Sequence, residues 1–362
     1  MLSMFRTPRR LALCLSMVVV MTGSGALAGP VSANTSALDA LPWLGLAAKI
    51  VGPLFPSSIS KGSDNRLTVM LIGSDWRQRL VGTGERTDSI IFMTIDNSGH
   101  ISAVSLPRDV GNVPIGPGQI WKPKINGLFK YYKALSGLSD PLAARNWALD
   151  KMRVAFQYTF GIQIDYVVYT RFTALERLVG NVGGVPVTLP KTLYDKSIVD
   201  ERYPADQHGA KFNAGFTVEQ GSSAPPCYTV GDPINWSATP NCTRALEYVR
   251  SRHGPGNDDW VRARRQQGFI YAAIQRVLSR NGSDLESLRL SALSNTTDFY
   301  TTLPTDAGSV LAMFAMLQGA TMPNQAVLQP SKYAFTVPGT FKQELKIDAV
   351  RTLMHSWFGP LP

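Results

Sequence analysis

The 362-residue chain is 44% hydrophobic and 17% charged, and its 36 Lys and Arg against 26 Asp and Glu give a formal charge of +10. A basic surface calls for anionic partners. Nucleic acid is excluded as that partner, since no helix-turn-helix, RNA-binding aromatic motif or zinc finger appears and no Cys or His cluster has zinc spacing.

In chain order, Arg6, Pro8, Arg9 and Arg10 precede an apolar run from Leu11 to Met21 and small residues ending in Ala26-Leu27-Ala28, which reads as an export signal over 1–28. Cleavage after Ala28 is the first expectation. The eighteen residues from Leu11 to Ala28 also approach the roughly 20 that an uncleaved membrane anchor needs. A leader carrying three arginines and no acid leaves +7 when removed. Outside the cytoplasm, acidic polymer, lipid phosphate and the membrane surface are the fitting partners. Residues 29–65 are rich in Pro, Gly, Ser and Ala, with an apolar patch from Leu41 to Phe55, and read as a spacer or as a short helix packed on the domain.

Regular structure is expected from Leu67. Leu67 to Ile72, Ser89 to Ile95 and Ile101 to Leu106 are near-continuous apolar runs, the pattern of strands buried on both faces, with a hairpin turn at Asn97-Ser98-Gly99. Lys124 to Leu135 and Arg145 to Phe160 read as helices, Ile164 to Thr170 as a strand, Phe172 to Val179 as a helix and Val185 to Leu189 as a strand. Tyr194 to Asn241 reads as an irregular surface excursion. Its Cys227 and the following Cys242 either pair in an oxidising compartment or remain free thiols. Helix returns over Cys242 to Arg252 and Asp259 to Arg280, stopped by Asn281-Gly282, and the tail holds two more amphipathic stretches, including Asp348 to Phe358. Interleaved strands and helices make the class α/β, with helices covering a central sheet in a single domain over 66–362.

Charge gathers at the strand ends, where ligands collect in such sheets. Asp75 follows the first strand, Arg86-Thr87-Asp88 precedes the second, Arg108 and Asp109 follow the third, and Lys124 opens the next helix. Between Asn241 and Gln267, six arginines crowd together, among them Arg250, Arg252 and Arg262, with Gln266 one turn after Arg262. Guanidinium forks in that density hold phosphate or carboxylate. Two carboxylates among them suggest Mg²⁺ bridging to phosphate oxygens, and phosphoryl transfer asks for this positioning and charge cancellation.

The motifs Leu71-Ile72-Gly73-Ser74-Asp75, Arg86-Thr87-Asp88-Ser89, Ser105-Leu106-Pro107-Arg108-Asp109, Lys124-Ile125-Asn126, Gly183-Gly184-Val185, Ala245 to Arg252, Asp259-Trp260-Val261-Arg262 and Arg265-Gln266 resemble the LytR-CpsA-Psr family in order and spacing. The resemblance spans Leu67 to about Leu278. It implies a three-layer α/β/α sandwich with a central mixed sheet, and a phosphotransferase that moves a glycopolymer from a polyprenyl pyrophosphate carrier to a peptidoglycan sugar hydroxyl. Asp75 and Asp88 would hold Mg²⁺ or Mn²⁺ and, with Arg108, serve catalysis. Arg86, Arg108, Lys124, Arg250, Arg252, Arg262 and Gln266 would hold the pyrophosphate. The stretch Gly127 to Tyr132 lacks the paired glycines common there, and the insertion over about 194–241 is longer than the pattern needs. Two other readings use the same residues. A pyrophosphatase would put water in place of the sugar hydroxyl, and a non-catalytic carrier-binding module would need the arginines but neither aspartate.

Overall fold

The structure is a computed structural model that describes residues 59–62, 65–76, 85–182, 184–188, 193–195, 210–212, 217–219, 245–246, 248–253, 256–279 and 295–361. The expected export signal over 1–28, most of the spacer, Asn281-Gly282, Cys227 and Cys242 lie outside the described residues.

Three strands open the fold, β1 (Leu67–Ser74), β2 (Thr87–Ile95) and β3 (His100–Leu106). Short strands β4 (Val110–Gly111), β5 (Val113–Gly116) and β6 (Gln119–Trp121) follow, then a 3-10 turn over Ile125–Gly127, helices α1 (Leu128–Leu135) and α2 (Pro141–Phe160), and strand β7 (Tyr166–Arg171). Helix α3 (Phe172–Asn181) leads to β8 (Gly184–Thr188), β9 (Leu193–Asp195), β10 (Ala210–Phe212) and β11 (Thr217–Glu219), and α4 (Asp259–Leu278) to β12 (Phe299–Thr301). Helix α5 (Ala307–Leu317), strands β13 (Thr321–Val327), β14 (Ala334–Thr336) and β15 (Gln343–Leu345), and α6 (Ile347–Phe358) complete the chain.

The central sheet runs β12-β7-β1-β2-β3-β13. Its middle is antiparallel, β1 to β2 to β3, while β7 and β13 join in parallel on either side, so the sheet is mixed. Alternation along the strands sends Met70, Ile72, Ile90 and Phe92 to one face, where Phe156 and Phe160 of α2 meet Phe92 edge-on at 5.5 and 5.1 Å. Ile91, Met93 and Ala103 face the other way, toward Ile270 and Ile274 of α4 and Met316 of α5. Helices thus cover both faces, and the architecture is the three-layer α/β/α sandwich expected.

Several expectations shift in detail. Helix α2 begins at Pro141 rather than Arg145, because Asp140 caps it by accepting from the backbone N–H groups of Leu142 and Ala143. The stretch read as an irregular excursion from Tyr194 holds strands at 210–212 and 217–219 and most of the strand at 193–195, β9 pairing with β10 and β11 with β8. Strand β13 has no counterpart in the sequence reading, since its Thr-Met-Pro-Asn-Gln run is polar and contains proline, as an edge strand tolerates. Among the described residues no helix is long and apolar enough to cross a membrane.

Candidate active site

A cavity of about 640 Å³ opens between the sheet, α3, α4 and the segment 249–253. The register sets its levels. Leu71 of β1 lies opposite Ile91 of β2 and Val168 of β7, and two residues on, Gly73 lies opposite Ser89 and Thr170. All six line the cavity, whose wall becomes polar toward the ends of β1 and β7. Helix α4 carries the same gradient, with Arg262, Gln266, Phe269 and Ile270 at helical spacing on one face, all in the wall. One end is therefore charged and the other apolar.

Strand pairing slips between Gly73 and Ser74, whose partners are Ser89 and Thr87, so Asp88 is the extra residue of a β-bulge. A bulge re-aims a side chain, and Asp88 joins Ser89 in the cavity wall. Arg108 donates to Asp88 Oδ2 at 2.9 Å and Asn126 to Oδ1 at 3.1 Å. Burial pushes the Asp88 carboxyl up, but Arg108, the Asn126 hydrogen bond and Arg262 outweigh it and hold the group below the usual carboxylate range. Burial likewise works against the Arg108 guanidinium, and Asp88, Asp259 and Asp109 together hold its pKa above the ordinary value.

Asp259, in the first turn of α4, gathers three guanidinium groups: Arg262 at 3.4 Å, Arg108 at 3.8 Å and Arg252 at 3.9 Å. That turn is fixed by Asp258, which accepts from the backbone N–H groups of Trp260 and Val261. Further along, Gln266 accepts from the Ser89 hydroxyl at 3.0 Å and donates to Val249 O at 3.0 Å, tying α4 to the sheet and to the arginine segment. Arg250 stacks over the Phe172 ring at 4.9 Å. Buried Nε atoms of Arg108 and Arg262 have no hydrogen-bond partner. Six arginines and three aspartates line the cavity. The guanidinium groups of Arg108, Arg250, Arg252 and Arg262 suit this end to an anion.

Asp75, Asp88, Arg108, Arg250, Arg252, Arg262 and Gln266 therefore meet at one cavity. Arg86 and Lys124 do not line it. Arg86 is exposed and joined to Asp75 through its main chain, its N–H donating to Asp75 Oδ1 at 2.9 Å. Lys124 is exposed and pairs with Asp109. The sequence reading omitted Asn126 and Asp259 from the site, although both stand in the motifs it quoted. Asp195 it missed altogether. This buried carboxylate accepts from the Ser251 hydroxyl at 3.0 Å and from the backbone N–H groups of Arg252 at 2.9 Å and His253 at 3.0 Å. A lone aspartate far from the arginine segment in sequence gives no local signal of that contact.

A sequence model of the LytR_cpsA_psr family matches residues 51–226. The cell wall biosynthesis protein LcpA of Corynebacterium glutamicum is 27% identical over 261 residues, which make up 64% of this chain and 44% of that protein. The match thus spans less than half of the relative's length. Among solved structures, TagV of B. subtilis superposes with a TM-score of 0.53 at 18% identity, over 83% of this chain and 100% of that one. Protein gbs0355 of Streptococcus agalactiae gives 0.56 at 19%, over 82% and 89%. TagT bound to LIIa-WTA gives 0.54 at 20%, over 84% and 95%. These likenesses show a shared fold. The family match and the ordered motifs make the chain similar in sequence to the LytR-CpsA-Psr family.

Proposed function

We propose that the chain is an exported phosphotransferase, its catalytic domain over 66–362, that moves an anionic glycopolymer from a polyprenyl pyrophosphate carrier to a peptidoglycan sugar hydroxyl and releases polyprenyl phosphate. The observation that carries this reading is the polarity of one cavity, arginine-rich at one end and apolar at the other. A pyrophosphate with a hydrocarbon tail has the same two halves. Names of relatives agree in kind, one being a cell wall biosynthesis protein and another solved with LIIa-WTA.

On this reading Arg108, Arg250, Arg252 and Arg262 grip the two phosphates, and Leu71, Ile91, Val168, Leu175, Phe269 and Ile270 face the tail. Asp75 and Asp88 share the cavity wall, and no described cluster of three or more carboxylate, Cys or His groups stands ready as a cage. That set suits Mg²⁺ or Mn²⁺ completing its shell with phosphate oxygens and water. Such an ion would neutralise charge on the pyrophosphate. The acceptor hydroxyl attacks the sugar-proximal phosphorus while the guanidinium groups, fixed beforehand by Asp88 and Asp259, stabilise the charge that spreads over the transferring group.

The purified chain, given a synthetic polyprenyl-pyrophosphate glycan and peptidoglycan fragments with and without Mg²⁺, should attach glycan to the fragment only with the metal. Asp88→Ala and Arg108→Ala should each lower the rate by about 10²-fold or more, the usual loss for a group that stabilises transition-state charge. Free sugar phosphate as the product would replace transfer with hydrolysis, and tight binding without turnover would leave a carrier-binding module.

A further inference from the structure

The residue that takes the proton from the acceptor is not evident among the carboxylates at the phosphate end. Asp88 has both oxygens engaged, by Arg108 and Asn126. Oδ1 of Asp75 takes the Arg86 N–H. A carboxylate held by cations and donors is a weak base near neutral pH.

An imidazole lies in the same wall. Of the described histidines, His100 pairs with Asp96 and His355 meets Phe160 O, both away from the cavity, while His253 lines it. His253 Nδ1 stands 3.4 Å from Oδ1 of the buried Asp195. A carboxylate at Nδ1 selects the tautomer with its proton there, which leaves Nε2 as the acceptor. The other Asp195 oxygen holds the backbone N–H groups of both Arg252 and His253. His253 O accepts from the Asn257 side chain at 3.0 Å, so the loop is fixed on two sides. One buried acid therefore places a phosphate-end guanidinium and an imidazole side by side. Arg252 connects through Asp259 to Arg108 and so to Asp88.

We propose that His253 is the general base of the transfer and that Asp195 is its positioning residue. The proposal rests on the phosphotransferase reading above. The acceptor O–H bond breaks with its proton passing to His253 Nε2, and the oxygen forms a bond to the sugar-proximal phosphorus. The bond from that phosphorus to the bridging oxygen breaks, its electron pair leaving with polyprenyl phosphate, and the imidazolium returns its proton to water. Besides Asp195 on β9, the charged groups around the cavity are Arg171 at the end of β7, Arg177 on α3, Arg250 and Arg252 on the same segment, Arg262 on α4, Arg108, and Asp75 and Asp88. Asp195, 3.4 Å from Nδ1, stabilises the imidazolium that forms during transfer.

The test uses the purified chain with Mg²⁺, a polyprenyl-pyrophosphate glycan and a peptidoglycan-fragment acceptor, following kcat from pH 5.5 to 9 alongside the dissociation constant of glycan-free polyprenyl pyrophosphate. Wild type should lose rate on the acid side of the profile, an acid limb set by protonation of the base. His253→Gln should lower kcat by about 10²-fold or more and abolish that limb while changing the dissociation constant less than about threefold. Added imidazole should restore part of the rate to His253→Ala. Asp195→Asn, which keeps an oxygen for the backbone donors but presents an amide to Nδ1, should lower kcat with lipid binding near wild type. An unchanged rate and pH profile in His253→Gln overturns the base and leaves the transferase standing. An equal loss of lipid binding in that variant overturns it too, making His253 a phosphate ligand. Wild type that binds the lipid and transfers nothing at any pH overturns the reading of function itself.

Discussion

Glu85 is buried between the Ser74 hydroxyl at 2.8 Å, the Tyr169 hydroxyl and the Arg171 guanidinium at 3.1 Å, with Lys133 at 3.3 Å. Burial raises its pKa, but Arg171 and the tyrosine and serine hydrogen bonds outweigh this and leave it lowered, as at Asp88. Both carboxyls are lowered in the folded state, so both stabilise the fold above their unfolded values of about 4, and this stabilisation is lost as the pH falls through their folded values. The urea midpoint should therefore hold steady from pH 7 to about 5 and fall below about 4, with Asp88→Asn flattening the acid slope. Glu85→Gln should cost about 3 kcal/mol at pH 7 in urea unfolding, since it leaves Arg171 buried beside a neutral amide. At this scale the charged motifs were legible because each stands at the end of an apolar run. Glu85 and Asp195 were not, since their partners lie 86 and 56 positions away.

Helix ends separate stability from function. Asp258 and Asp140 cap α4 and α2 in the same way, each accepting from two backbone N–H groups. Either changed to alanine should cost about 1 kcal/mol by thermal unfolding. Only Asp258→Ala should also lower glycan transfer, because the turn it holds carries Asp259 and Arg262, whereas α2 packs on the opposite face of the sheet. Equal transfer by the two variants would sink that assignment. Gly161 ends α2 at φ 65°, and a Cβ there would come within 2.7 Å of His355 Nε2. Gly161→Ala should cost about 1–2 kcal/mol for the left-handed backbone alone, before His355 moves. The sequence showed β1, β2 and β3 through apolar runs buried on both faces. It hid β13, whose exposed half is polar, and it hid the bulge at Asp88, since hydrophobic alternation records a strand's faces but not an inserted residue.

Across the whole molecule, the layers dictate where the site can be. The face covered by α2 is filled by Phe92, Phe156 and Phe160, so the cavity sits on the α3 and α4 side. Leu175 lies one turn into α3, where a larger ring should shorten the apolar end. Leu175→Trp should reduce kcat/KM for a long-chain carrier by about tenfold, the scale of a misfit of 1–3 kcal/mol, and leave a short-chain carrier nearly unaffected. Equal losses with both carriers would show that the tail lies elsewhere.

The lopsided cavity also fixes an orientation. Moving a phosphate toward Ile91 and Phe269 would strip its water without a donor in return, so an amphiphile is held with its head at the arginines and its tail at the apolar wall. Breaking the bond between the two phosphates frees the glycan but not the hydrocarbon, which still gains about 25 cal/mol for each Å² it keeps from water. On the proposed chemistry, the spent lipid is then the last species to leave and sets the pace. Rapid mixing should record a burst of one attached glycan per protein before a slower steady rate, and added detergent or vesicles, by drawing off the lipid, should quicken the second phase and leave the first alone.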